Sequence, residues 1–187
     1  MAFNDQQLLP AIRSMKDFDK LLNYNYRYGV FLDLHISMLK SVYEYARSEG
    51  REMFLHMDLI HGLANDEHAT EYICQTIKPY GIISTRSKVI QKARQLKVQA
   101  IQRTFVIDSN ALDRSIQLIQ KTDPDYIELL PGVVPKVIER VSEKTGKPII
   151  AGGLIDTPEE VEAALSAGAN AITTSSHILW KHFSVNK

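Results

Sequence analysis

The stretch Pro148-Ile149-Ile150-Ala151-Gly152-Gly153-Leu154-Ile155-Asp156-Thr157-Pro158-Glu159-Glu160 reads in three steps. The apolar run from Pro148 to Ala151 suits a short buried strand, and the paired glycines break it. Thr157-Pro158-Glu159-Glu160 then starts a helix. Thr157 can accept a hydrogen bond from the first turn, Pro158 suits the first helical position, and Glu160 can reach back to the cap in a capping box. This helix is expected over 159–167, with Gly168 closing it. A further apolar run, 171–174, follows and ends in Ser175-Ser176. Strand, helix and strand in this spacing form a unit of a parallel sheet.

The same alternation extends back to the first residues. Strands are expected at 9–13, 29–34, 53–59, 81–85, 99–106, 126–130, 148–151 and 171–174, with helices at 16–23, 38–48, 67–77, 88–96, 111–121, 134–144 and 159–167. Eight strands joined by helices define an α/β protein and predict a compact (β/α)8 barrel of the TIM type. The chain has 187 residues, which suits one domain over 1–187; such barrels usually run to about 250 residues and seldom below about 200, so the loops must be short. The alternative is an open doubly wound sheet, but no Gly-x-Gly-x-x-Gly follows the first strand to support a dinucleotide-binding version.

Composition narrows the function classes. Apolar residues make up 44% and charged residues 24%, with 22 bases against 22 acids. This is the balance of a packed globular protein, and neutrality excludes a wholly basic coat for nucleic acid while leaving room for a local basic face. Cys74 is the single cysteine, so there is no internal disulfide and no zinc-type Cys pairing. With no secretory pattern at the start and no apolar run long enough for a bilayer, the expected setting is cytoplasmic, without membrane contact.

Alternation along the strands suggests what points into the barrel. In 53–59, Leu55, Met57 and Leu59 suit the layer under the helices, which turns His56 and Asp58 inward. In 126–130, Ile127 and Leu129 take the outer layer and Glu128 turns inward. Barrel chemistry sits at the carboxyl ends of strands. Asp58, Glu128 and Arg13 are therefore candidates for contacting the hydroxyls of a ligand, with Asp33 near the same ring; the same polar groups would also suit a buried structural network. His35, His56 and His61 lack helical metal-ligand spacing, and no metal is expected. The sequence has no nucleophile elbow, no Walker loop and no lysine clearly placed inside a strand for a Schiff base, so no catalytic set is assigned.

The last two strand-to-helix junctions carry the strongest chemical signal. Gly152 and Gly153 let the backbone approach an anion, and Thr174, Ser175 and Ser176 bring hydroxyls and the start of a short helix to the adjoining loop. Either half alone would serve a tight turn or a helix cap. Together they match the phosphate site of phosphate-binding barrels.

One charge asymmetry remains. From Tyr72 to Ile107 there are seven bases, Lys78, Arg86, Lys88, Lys92, Arg94, Lys97 and Arg103, and no acid. Such a run is ordinarily solvated surface, but in a neutral chain it also suggests a face for RNA phosphates, with Arg86, Lys88, Lys92, Arg94 and Lys97 as the candidates. The run has no aromatic interleaving for reading bases.

Several motifs in fixed order carry a family resemblance: His56-Met57-Asp58-Leu59-Ile60-His61-Gly62-Leu63, Gly81-Ile82-Ile83-Ser84-Thr85, Ile101-Gln102-Arg103, Ile127-Glu128-Leu129-Leu130-Pro131-Gly132, Ala151-Gly152-Gly153-Leu154-Ile155, and Ile172-Thr173-Thr174-Ser175 with Leu179-Trp180. Over nearly its whole length the chain resembles the glycerol-3-phosphate-responsive antiterminators. The resemblance implies a regulator, not an enzyme, whose effector is glycerol 3-phosphate and which then binds leader mRNA so that a terminator hairpin does not form. It implies no cofactor, and a homo-oligomer is compatible with it. The rival from another class is a phosphate-binding barrel enzyme acting on a small sugar or polyol phosphate; a barrel that signals only to a protein partner is a third.

Overall fold

A computed structural model describes residues 2–184. Among them, eight parallel strands close into a barrel in sequence order: β1 (Leu8–Ile12), β2 (Tyr28–Phe31), β3 (Glu52–His56), β4 (Gly81–Ser84), β5 (Gln99–Phe105), β6 (Tyr126–Leu130), β7 (Ile149–Gly152) and β8 (Ala169–Thr174), with β8 pairing back onto β1. The helices that follow them are α1 (Met15–Leu21), α2 (Leu39–Ser48), α3 (Glu67–Tyr72), α4 (Ser87–Gln95), α5 (Ser109–Thr122), α6 (Pro135–Thr145), α7 (Pro158–Ser166) and α8 (His177–Phe183). Two cores result. The larger lies between strands and helices, where Leu55, Ile82, Ile127 and Ile149 meet residues such as Phe18, Val89, Ile138 and Val161. The smaller fills the barrel itself with Leu9, Val30, Phe54, Ile83, Ile101, Ile150 and Ala171.

The inner surface is graded from end to end. Phe3 closes the amino-terminal end, its ring stacked 4.9 Å from Tyr126 and edge-on to Tyr28 and Phe54. Apolar side chains fill the middle. Toward the carboxyl end the inward positions become His56, Arg103, Glu128 and Thr173, all buried or nearly so. A polar ring inside an apolar barrel needs internal partners, and those partners fix the geometry of the site.

Local chemistry explains most element ends. At α7, Thr157 accepts from the Glu160 N–H at 3.3 Å while Glu160 accepts from the Thr157 N–H at 3.1 Å, the full capping box. Ser14, Asp66 and Asp108 cap α1, α3 and α5 in the simpler way. Three expectations need correction. The strand expected at 29–34 stops at Phe31, and Asp33 beyond it is left-handed at φ +52°. The strand expected at 53–59 stops at His56, and Met57–Leu59 form a 3-10 turn. Alternation is lost there: Met57 stays under the helices, but Leu59 packs into the barrel interior instead of the outer layer. The helix expected at 67–77 is α-helical only to Tyr72 and widens into a π-turn over Ile73–Ile77, ending at Lys78 in a left-handed conformation.

Candidate functional site

A cavity of about 300 Å³ opens at the carboxyl end of the barrel. Its wall combines Gly153, Leu154, Ile155 and Asp156 after β7, Thr174, Ser175 and Ser176 after β8, Arg13 after β1, and the inward side chains Arg103, Glu128 and Thr173. A larger hollow of about 740 Å³ lies at the opposite end, between α4 and α5. That hollow is an open surface crossed by the ion pairs of Arg94 with Asp123 and Asp125, so of these two the carboxyl-end cavity is the one that joins enclosure to convergent polar groups.

The floor of the cavity is a buried ion pair. Arg103 and Glu128 face each other across the β5–β6 ladder, and the Arg103 Nε donates to Glu128 Oε2 at 2.6 Å. Thr173 donates its hydroxyl to the other carboxylate oxygen at 2.7 Å. Glu128 is 1% exposed, and a charge so deeply buried is tolerable only when paired and hydrogen-bonded in this way. The Arg103 terminal nitrogens meet no acceptor among the described residues, and Arg103 lines the cavity. Its pairing with Glu128 therefore leaves donors available to an acceptor in the cavity. His56 is buried beside this pair. Burial, reinforced by the neighbouring Arg103 charge, pushes its imidazole down to about 4, so the ring is neutral at pH 7. Neither ring nitrogen has a hydrogen-bond partner among the described residues.

The loops over the cavity are held by contacts that explain their sequence. Gly152 ends β7, and a Cβ there would stand 2.3 Å from the Thr173 hydroxyl, so glycine leaves room for the Thr173–Glu128 bond. The Gly152 carbonyl accepts from the Gly132 N–H at 2.7 Å. Gly153 and Leu154 both lie in the left-handed region, at φ +75° and +61°. For leucine this costs about 1–2 kcal/mol, and such strain gathers where a loop is shaped for a ligand. Across the cavity, the buried Trp180 donates its indole N–H to the Thr174 carbonyl at 2.8 Å, and the Thr174 hydroxyl accepts from the Ser176 N–H at 3.1 Å. His177 pairs with Asp17 of α1 at 2.9 Å, tying the start of α8 to the neighbouring helix.

The structure brings together Gly153, Thr174, Ser175, Ser176, Arg13 and Glu128, while Gly152 stands just behind the wall. Arg13 sits at the rim, 60% exposed and paired with Asp33 at 2.8 Å. Asp58 lies beside the cavity but outside its wall. Its carboxylate accepts from the Ser84 hydroxyl and from the Thr85 N–H and hydroxyl, which fastens the loops after β3 and β4 together. Burial opposes ionisation of Asp58, yet these hydrogen bonds hold it below its usual value. His35 and His61 meet in an isolated bridge between loops. Among the described residues no group of three His, Cys, Asp or Glu is arranged to hold a metal ion.

The basic run is not an acid-free face in the fold. Lys88 approaches Glu67 at 3.6 Å, Lys92 approaches Glu71 at 3.2 Å, and Arg94 pairs with Asp123 and Asp125. Arg86 and Lys97 lie at opposite ends of α4, both exposed. Arg103 is the cavity-lining residue that the run concealed. Sequence reasoning grouped it with surface bases, although alternation from Ile101, apolar and inward, would have turned it into the barrel.

The fold and the cavity define a (β/α)8 barrel whose carboxyl-end mouth carries the convergent polar groups. The chain belongs to the family of glycerol-3-phosphate responsive antiterminators, whose model matches residues 8–180. It is similar to the glycerol uptake operon antiterminator regulatory protein of Listeria monocytogenes, with 45% identity, coverage of 97% of this chain and 98% of that one, and a TM-score of 0.94. A glycerol uptake operon antiterminator-related protein of Thermotoga maritima is 31% identical over 94% of this chain and 98% of its own, with a TM-score of 0.84. The Escherichia coli protein YgcP is 30% identical over 174 residues, 91% of each chain.

Proposed function

We propose that this protein is a cytoplasmic regulator that binds glycerol 3-phosphate in the carboxyl-end cavity and, in that state, engages leader mRNA so that a terminator hairpin does not form. The observation that carries the ligand half is Arg103: its Nε is anchored on Glu128 while its terminal nitrogens have no described protein acceptor. A guanidinium held this way offers fixed donors to a phosphate without having to order a mobile side chain. The phosphate group fits between Arg103, the Gly153 loop and Ser175-Ser176, with Arg13 at the rim. The glycerol hydroxyls then lie over Glu128, whose carboxylate oxygens each retain acceptor capacity beyond the bonds from Arg103 and Thr173.

The same geometry favours a sensor over an enzyme. Glu128 is held by Arg103 and Thr173, and His56 lies outside the cavity wall. Family membership supports the RNA half.

Calorimetric titration with glycerol 3-phosphate tests the ligand assignment. Wild type should bind, and Arg103→Lys, which keeps the charge but loses the fork, should weaken binding about 10- to 100-fold, the scale of one or two charge-assisted hydrogen bonds. Unchanged affinity in a folded Arg103→Lys protein would remove Arg103 from the site. Turnover of glycerol 3-phosphate or a related polyol phosphate would favour the enzyme.

A further inference from the structure

The acids opposite α4 leave a different surface with bases unanswered. A groove of about 580 Å³ runs between α5 and α6 beside the barrel mouth. Val106, Ile107 and Val137 form its apolar wall, and Lys136 and Arg140 form its charged edge. Lys136 and Arg140 are four residues apart on α6, hence on one helix face, and neither makes an ion pair with a described residue. The groove's one acid, Asp108, caps α5, accepting from the Ala111 N–H at 2.7 Å, and pairs with neither base. Ile107 is 84% exposed, and at the end of β5 next to it stands Phe105, 53% exposed. Large apolar side chains this open, flanked by bases that form no ion pair with a described residue, mark an interaction surface.

We propose that this groove and Phe105 bind single-stranded RNA, with Phe105 stacking on a base and Lys136 and Arg140 meeting phosphates. The inference rests on the RNA role proposed above and names the face that performs it. Charge complementarity favours RNA as the occupant: Lys136 and Arg140 make no ion pair with a described residue, RNA brings one negative charge per nucleotide, and its unpaired bases stack on exposed aromatics such as Phe105. The groove is also linked to the ligand cavity. Arg103 and Phe105 lie on the same side of β5, and the Val106 N–H donates at 2.9 Å to the carbonyl of Leu130, a residue of the cavity wall. A ligand that fixes Arg103 and Leu130 also fixes the strand end that carries Phe105.

The test measures anisotropy of a fluorescent leader transcript of a glycerol uptake operon, with saturating glycerol 3-phosphate, for wild type, Phe105→Ala, Lys136→Ala/Arg140→Ala and Lys88→Ala/Lys92→Ala. Phe105→Ala should weaken binding about 5- to 100-fold, the range for losing one base-stacking contact. The Lys136/Arg140 double variant should lower the log–log salt slope by about 1.4, two contacts at about 0.7 each. Calorimetric affinity for glycerol 3-phosphate should stay within about 2-fold in both, and thermal melts should confirm folding. If wild type binds the transcript and these variants bind it equally well, the face is overturned while the RNA role stands, and a loss confined to the Lys88/Lys92 variant would move the face to α4. If the variants instead abolish a dimer seen by light scattering and leave RNA binding intact, the groove joins two copies. If wild type binds no RNA with or without ligand, the proposed role fails and the inference fails with it.

Discussion

His56 shows how the polar end of the barrel makes stability depend on pH. Its imidazole ionises near 6.5 in an unfolded chain but is pushed down to about 4 in the fold, chiefly by burial and then by Arg103. Between these values the unfolded chain binds more protons than the folded one, so stability falls as pH drops from about 6.5 toward 4 and is fully present above that window. The full effect is on the order of 3 kcal/mol. Urea midpoints at pH 7.5 and pH 5.5 should separate clearly for wild type and converge for His56→Gln, whatever that substitution costs at neutral pH; an equal separation in both would remove His56 as the source. Asp17 and Asp58, whose folded values are lowered from 3.8, lose their contributions only under more acid conditions. The Arg103–Glu128 pair carries a different sensitivity. Arg103→Met would strand a carboxylate that is 1% exposed, costing about 3–5 kcal/mol, which is why the binding test uses Arg103→Lys. Strand alternation made Glu128 legible in the sequence. Asp58 was not legible in the same way, because a three-residue 3-10 turn shows the same apolar-polar-apolar order as a strand, and only the packed structure separates them.

The loops over the cavity depend on a few contacts whose loss has calculable consequences. Gly153→Ala places a side chain at φ +75° with its Cβ 3.2 Å from Leu130; about 1–2 kcal/mol of stability should go, together with affinity for glycerol 3-phosphate. Trp180→Phe removes the indole donor to the Thr174 carbonyl and part of a fully buried ring. That should cost about 2–4 kcal/mol by thermal or urea denaturation, and a change within about 0.5 kcal/mol would show that the Trp180 anchor does little. Element type was well encoded where chemistry is local. The Thr157 capping box and Gly168, at φ +97° just past α7, are matched by what the sequence indicates. The π-turn over Ile73–Ile77 was not, because an extra residue in a helical turn leaves the apolar pattern intact while changing only the hydrogen-bond ladder.

Across the whole molecule, alternation of strands and helices indicated the barrel, but closure is a long-range fact: an open sheet would show the same local pattern, and what decides is the pairing of Leu8 to Pro10 with Ile172 to Thr174. The charge distribution is long-range in the same sense. A run without acids along the chain meets Glu67, Glu71, Asp123 and Asp125 from neighbouring segments once folded, while Lys136 and Arg140, unremarkable in sequence, make no ion pair with a described residue. The central claim is that ligand and RNA are coupled through one barrel, and coupling between two binding events must be reciprocal. The most direct measurement is the affinity of the glycerol uptake leader transcript for the intact protein at one ionic strength, about 0.15 M, without and with saturating glycerol 3-phosphate. The expected result is tightening by about 10-fold or more with ligand, and an equal gain in glycerol 3-phosphate affinity when RNA is saturating. Equal RNA affinity with and without a ligand that calorimetry shows to be bound would contradict it.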